Sequence, residues 1–195
     1  MKLESDPKQI SGTWADGYTL DRHTKSSEFL GYDSNGRAQY DSTRTELGEA
    51  VYQLKYGSRD EEEAVKLAST AVAFIKKWKI ELDAVLPMPA SKSRTVQPVL
   101  LIAKEIARQL GLEFLAEAVT RNKKTPELKN VDGAERQKLL ADAHEVIASM
   151  TKGRRILLVD DLFQTGATMN AVAAILQSKG HAAKVYALAI TRTKR

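Results

Sequence analysis

Two adjacent carboxylates close an apolar run, and four residues later a turn of small residues begins. The stretch reads Arg155-Ile-Leu-Leu-Val-Asp-Asp-Leu-Phe-Gln-Thr-Gly-Ala-Thr-Met169. Ile156 to Val159 has the apolar continuity of a buried strand. Asp160 and Asp161 end it, Thr165-Gly166-Ala167-Thr168 follows, and a helical pattern starts at Thr168. In an open α/β sheet, ligands bind at the carboxyl ends of strands. A helix N-terminus offers unpaired N–H groups and a positive dipole end, which suit a phosphate. Carboxylates beside such a turn fit a sugar phosphate. The acids would take hydroxyls or hold Mg²⁺ through water, and the turn would take the phosphate. A Walker-type nucleotide site also ends an apolar strand in acids, but it needs Gly-x-x-x-x-Gly-Lys-Ser/Thr. No glycine here is followed by lysine.

A second stretch is suited to anions. Asp83-Ala-Val-Leu-Pro87 reads as a short strand, and Met88-Pro-Ala-Ser-Lys-Ser-Arg94 as the loop after it. Small residues allow close backbone approach, and Lys92 and Arg94 add charge, so a pyrophosphate site is plausible there.

The elements that position these loops follow from patterning. Residues 1–44 alternate aromatic and polar side chains (Trp14, Tyr18, Leu20, Phe29, Leu30, Tyr32, Tyr40). They predict strands near 13–22, 27–32 and 37–42 in a small antiparallel appendage. Thr43 and Glu46 have capping-box spacing for a helix ending at Gly57, and Ser58 with Glu61 for a helix reaching Trp78. A helix is predicted from Gln97 to Leu110, stopped by Gly111, then short strands over Leu112–Arg121. Residues 122–130 are polar and basic, and Asp132 to Asp142 has helical spacing. A last helix over Thr168–Lys179 and a strand over Lys184–Thr191 complete an alternation that predicts an α/β fold with a parallel sheet. Of the histidines, His23 and His181 fall in polar links and His144 has no visible partner, so none is expected to bind metal.

Composition sets outer bounds. The 43% apolar and 28% charged fractions are those of an ordinary soluble chain. A net charge of +5 favours anionic ligands and permits nucleic acid without indicating it. With no cysteine, neither a disulfide nor a Cys-ligated metal exists. No apolar run approaches the roughly 18 residues that span a bilayer, and no signal peptide is visible. A cytoplasmic protein is expected, with no membrane partner.

The stretch from Ile156 to Thr168 resembles the diphosphoribose-binding motif of type I phosphoribosyltransferases, enzymes that use 5-phosphoribosyl-1-pyrophosphate (PRPP). The wider chain, from about Gly48 to Arg192, is similar to the ComF-like branch. It shares Leu54-Lys-Tyr56, Leu86-Pro-Met-Pro89, Thr120-Arg121, Thr125-Pro126, the Arg136 region and Leu139-Leu140, but lacks that branch's N-terminal zinc ribbon. The resemblance implies a Rossmann-like parallel sheet flanked by helices over residues 45–195. It also implies a flexible hood over about 119–147, set beside the 1–44 appendage. Asp160 and Asp161 would be the catalytic acids, holding ribose hydroxyls and, indirectly, Mg²⁺. Thr165, Gly166, Ala167 and Thr168 would hold the 5′-phosphate, and Ala90, Ser91, Lys92, Ser93 and Arg94 the pyrophosphate. The implied activity is phosphoribosyl transfer from PRPP to an unidentified nitrogenous acceptor. The alternative is a non-catalytic PRPP or nucleotide sensor, regulatory or related to DNA uptake, on the same fold. Gln164 stands where the 6-oxopurine branch carries an acid, which turns the expectation away from hypoxanthine and guanine. The acceptor, a homo-oligomeric state and the role of the appendage stay open at this level.

Overall fold

Alternation along one central strand builds the molecule. The computed structural model describes residues 2–57, 61–90, 97–121 and 139–193. Its strands are β1 (Lys8–Gln9), β2 (Asp16–Arg22), β3 (Thr24–Tyr32), β4 (Ala38–Arg44), β5 (Ala84–Pro87), β6 (Glu113–Phe114), β7 (Val119–Arg121), β8 (His144–Val146), β9 (Arg155–Phe163) and β10 (Lys184–Arg192). Its helices are α1 (Glu46–Tyr56), α2 (Glu61–Trp78), α3 (Pro98–Leu110), α4 (Ala148–Thr151) and α5 (Ala167–Ser178). In β9, Ile156 and Leu158 pack with Met169, Val172 and Leu176 of α5. Leu157 and Val159 point the other way, into a core with Leu54, Leu67, Ile102 and Ile106 of α1, α2 and α3. The period of two along a strand thus demands cover on both faces, and helices supply it. This is the expected α/β architecture.

The main sheet has the order β1-β2-β10-β9-β5-β6, parallel except for β1. From β5 the chain passes through α3 to β6 on one side. From β9 it passes through α5 to β10 on the other. The winding direction therefore reverses between β5 and β9, and such a switch point opens a crevice at the strands' carboxyl ends.

The expected appendage needs correction. Residues 16–22 do not join an antiparallel set with 27–32 and 37–42. They form β2, parallel to β10, with Tyr18 opposite Leu188. Alternating aromatic and polar residues look alike in either pairing, and Leu20 is fully buried in the main core. Of the three expected strands, the last two, β3 and β4, make a separate antiparallel pair, interrupted by two register shifts. That hairpin leaves Phe29, Leu30, Tyr32 and Tyr40 exposed, with the Phe29 ring against Tyr32 and Tyr40.

The first helix starts later than its capping-box spacing implies. Its N-cap is Thr45, whose hydroxyl oxygen accepts from Gly48 N–H at 2.9 Å and donates to the Arg22 carbonyl at 2.6 Å. Thr43 instead pairs with Ser26 in the hairpin. The residues of the second proposed cap, Ser58 to Asp60, lie outside the described residues. Gly111 ends α3 in the left-handed conformation, φ 66°, as expected of a helix stop. β7 pairs antiparallel with β8, joining the two ends of the expected hood, and residues 122–138 between them lie outside the described residues. His144 is buried there, its Nδ1–H donating to the Leu140 carbonyl at 2.7 Å. It is a structural histidine.

Thr45 bonds both its own helix and the end of β2, so Thr45→Ala should remove about 1–2 kcal/mol of stability. Urea unfolding should show a lowered midpoint with an unchanged slope. A loss of only a few tenths of a kcal/mol would mean that the Arg22 contact contributes nothing.

Candidate functional site

The acids sit where β9 loses one neighbour. β5 pairs with β9 up to Pro87 opposite Val159, and Met88 N–H gives the last bond to the Val159 carbonyl at 2.8 Å. On the other side β10 continues, with Ala189 opposite Asp160 and Thr191 opposite Leu162. Asp160 and Asp161 are therefore held by one partner strand and face the crevice on the other. They fall within β9, which runs on to Phe163, rather than closing it at Val159.

Alternation sends the two side chains to opposite faces of the sheet. Asp161 shares the face of Leu157 and Val159, which α1 covers, and Lys55 in the last turn of α1 reaches it. Lys55 Nζ lies 2.8 Å from Asp161 Oδ1, and the two side chains are only 13% and 16% exposed. Asp160 Oδ1 accepts from the Asp161 N–H at 2.8 Å. Burial first, and the neighbouring Asp161 charge second, push Asp160 up to about 7 from its ordinary value of 3.8. Lys55 and two backbone N–H groups oppose that rise without cancelling it.

A further bond chain supports Asp161 from behind. The buried Thr191 hydroxyl donates to the Asp161 carbonyl at 2.9 Å. Its one proton is thus committed, so His23 Nδ1, 3.2 Å away, must be the donor to Thr191 Oγ1. Burial, then the Lys55 and Arg44 charges, lower the His23 pKa and keep the ring neutral. His23 is half-buried at the base of the hairpin, not the free loop histidine its polar surroundings imply.

The turn after β9 depends on Gly166. It has φ 73°, a left-handed value that L side chains rarely adopt, and a Cβ there would come within 2.7 Å of the Phe163 ring. Thr165 is exposed, and its hydroxyl accepts a long bond from Ala167 N–H at 3.4 Å. Ala167 and Thr168 open α5, where backbone N–H groups lack helical partners. Asn170, one turn into α5, bonds the Gly166 carbonyl through its Nδ2 at 3.0 Å. Its Oδ1 accepts from Thr13 N–H at 2.8 Å. The segment before β2 thereby braces the turn.

Two cavities meet at the acids. One, of about 190 Å³, is bounded by Met88, Pro89 and Ala90 after β5, by Gln97 to Val99 at the start of α3, and by Lys55, Asp160, Asp161 and Thr168. The other, of about 290 Å³, is lined by Lys55 and by residues 160–169. The structure thus brings together Asp160, Asp161, Thr165, Gly166, Ala167, Thr168 and Ala90 of the expected site. Ser91, Lys92, Ser93 and Arg94 lie outside the described residues. Lys55, Thr191, His23 and Asn170 were not anticipated as site residues. Only Lys55 had a sequence signal, as part of Leu54-Lys-Tyr56.

Among the described residues no cluster of three or more acids and histidines forms a metal cage. A pair of carboxylates on a polar crevice still fits Mg²⁺, a hard ion that keeps several waters and takes other ligands from substrate phosphates. No helix among the described residues is long and apolar enough to cross a membrane.

The crevice thus joins strand-end acids to a left-handed glycine turn at the carboxyl end of a parallel sheet. Residues 99–194 match the family model described as a phosphoribosyl transferase domain, which supports a phosphoribosyltransferase enzyme. The match starts inside α3, so Lys55 and Ala90 reach the site from outside it. Among solved structures, the fold is similar to adenine phosphoribosyltransferase from Saccharomyces cerevisiae, crystallised with an iminoaltritol bisphosphate and adenine. The identity is 15% and the TM-score 0.51, over 85% of this chain and 84% of that one. The Trypanosoma brucei adenine enzyme, in complex with AMP, pyrophosphate and ribose-5-phosphate, is 13% identical with a TM-score of 0.50, over 97% and 87%. That of Leishmania tarentolae is 12% identical with a TM-score of 0.50, over 96% and 94%. At these identities the likeness is one of fold. No curated protein matches the chain at a significant level.

The raised Asp160 pKa has a definite sign for stability. The folded state holds that proton more tightly than the unfolded chain. The resulting stability is complete below about pH 4 and is lost as pH rises through about 7. Asp160→Asn should therefore match the wild type near pH 4 and exceed it at pH 8 by about 1–3 kcal/mol. Melting curves at the two pH values check this, and an Asn variant less stable at pH 8 would contradict the burial argument.

Proposed function

We propose that the protein transfers the phosphoribosyl group of PRPP to a nitrogenous acceptor and releases pyrophosphate. The single observation that carries this reading is the juxtaposition of Asp160 and Asp161 with the Gly166 turn at the β5/β9 switch point. Asp161 and Asp160 take the ribose 2′- and 3′-hydroxyls. Thr165 to Thr168 hold the 5′-phosphate through backbone N–H groups and hydroxyls. The loop from Ala90 through Ser91, Lys92, Ser93 and Arg94 holds the pyrophosphate. When bound, Mg²⁺ would neutralise charge on the departing pyrophosphate.

The C1–O bond to pyrophosphate breaks with its electron pair leaving on oxygen. The acceptor nitrogen gives its lone pair to C1, and the acceptor's proton passes to solvent. The ribose ring carries positive character between these events, which the Asp161 carboxylate would stabilise. His23, behind the acids, is spent on Thr191, and catalysis in this reading rests on positioning and charge. Gln164 is exposed at the turn and cannot accept a proton at neutral pH, which favours an acceptor that needs no acid or base from that position. The adenine enzymes that share the fold make a nucleobase the acceptor class to screen first. We propose a ComF-like affinity on the shared short motifs alone; Lys55 of Leu54-Lys-Tyr56 is the residue that pairs with Asp161.

Calorimetry with PRPP, with and without Mg²⁺, tests the reading. Wild-type protein should bind PRPP, and Asp161→Asn should lose at least tenfold in affinity and in pyrophosphate release with the fold intact. Unchanged turnover in that variant would remove Asp161 from the site, and no PRPP binding by the wild type would remove the transferase reading itself.

A further inference from the structure

We infer that Lys55 is an ionic switch: it holds Asp161 in the empty site and moves onto the diphosphate of the substrate when the ribose hydroxyls claim that acid. This inference rests on the transferase reading above. Lys55 Nζ contacts Asp161 Oδ1 at 2.8 Å, and both side chains are mostly shielded from water. A carboxylate so engaged has one oxygen fewer for a ribose hydroxyl. Binding must therefore replace the ammonium at Oδ1 or share it.

The position of Lys55 decides where the ammonium goes. It lines both cavities that meet at the acids, and among the described residues it is the only cation lining either. The cavity along the Gly166 turn already has the N-terminus of α5 for a phosphate. The cavity between the acids and Ala90 is lined by the start of α3, whose first residue, Pro98, lacks an N–H and leaves that end one donor fewer for an anion. Lys92 and Arg94, proposed above for the pyrophosphate, lie outside the described residues, and among the described ones Lys55 is the cation within reach of a diphosphate there, on a flexible four-carbon stem. Lysine suits the task better than arginine. It is a point charge with rotatable donors, able to change partners without giving up a planar two-point contact.

The exchange keeps charges matched at each stage. Empty, the ammonium offsets Asp161. Occupied, ribose hydroxyls donate to Asp161 while the ammonium offsets a diphosphate oxygen. After transfer, loss of pyrophosphate returns Lys55 to Asp161. The pair thus disfavours an unpaired carboxylate in the empty crevice and supplies a counter-charge that strengthens as the leaving group gains negative charge.

Two half-ligands separate this role from a purely structural one. Binding of pyrophosphate and of ribose 5-phosphate is measured by calorimetry, with and without Mg²⁺, on wild type, Lys55→Met and Lys55→Arg. Lys55→Met should weaken pyrophosphate at least tenfold while changing ribose 5-phosphate less than threefold. Lys55→Arg should recover most of the pyrophosphate affinity, and it carries the test if the Met variant misfolds. Equal loss of both ligands in Lys55→Met, or unchanged pyrophosphate affinity in a wild type that binds PRPP, would overturn the switch alone. A wild type that binds neither PRPP nor pyrophosphate would overturn the switch and the transferase reading together.

Discussion

Two neighbouring carboxylates in a partly dry crevice repel each other and lose hydration, and the rest of the site is arranged around that fact. Asp160 answers by holding its proton to about pH 7. Asp161 answers by pairing with Lys55. Neither solution is available without the register of β9, which turns consecutive side chains to opposite faces and so gives each acid a different environment. A one-residue slip would bring Asp160 to the α1 side, carry Ile156 and Leu158 out of their core, and strand both acids. The apolar packing of β9 on two faces is what makes such a slip prohibitive, at ~2–5 kcal/mol for each large side chain lost from a core.

The N-terminal segment is part of the site rather than an ornament on it. Thr13 bonds Asn170 twice, through its N–H to Oδ1 and its hydroxyl to the Asn170 backbone carbonyl. Gln177 of α5 donates to the Thr13 carbonyl. Trp14 stacks edge-on against Phe163, the residue that forbids a side chain at Gly166. Rigidity at the Gly166 turn therefore comes from residues about 150 positions earlier in the chain.

Local features were legible in the sequence and distant pairings were not. The strand, the acids and the Gly166 turn read directly because strand, turn and helix signals fall within fifteen consecutive residues. α3 and α5 read within a residue or two because proline, glycine and helical spacing agree. β2 was misplaced because alternation shows that a strand is half-buried and says nothing of which neighbour covers it. Thr43 and Thr45 both offer an N-cap, and the choice falls to Thr45 because the Arg22 carbonyl lies within 2.6 Å of it. Lys55 looked like any cation at a helix end, since its partner is 106 residues away.

The pairing of β2 with β10 also has a consequence for biosynthesis. Tyr18 leaves the ribosome long before Leu188, its neighbour in the sheet. At synthesis rates of ~5–20 residues per second, β2 waits on the order of ten seconds or more for its partner. During that interval β2 has no parallel neighbour, although Tyr18 can already meet Phe74 and Trp78 of α2, and the wall of the crevice formed by β9 is open on the β10 side. The brace from Thr13 to Asn170 likewise forms only after α5 has emerged. Assembly of the site is thus a late event, gated by the last strand described, even though the residues that stabilise it are among the first made.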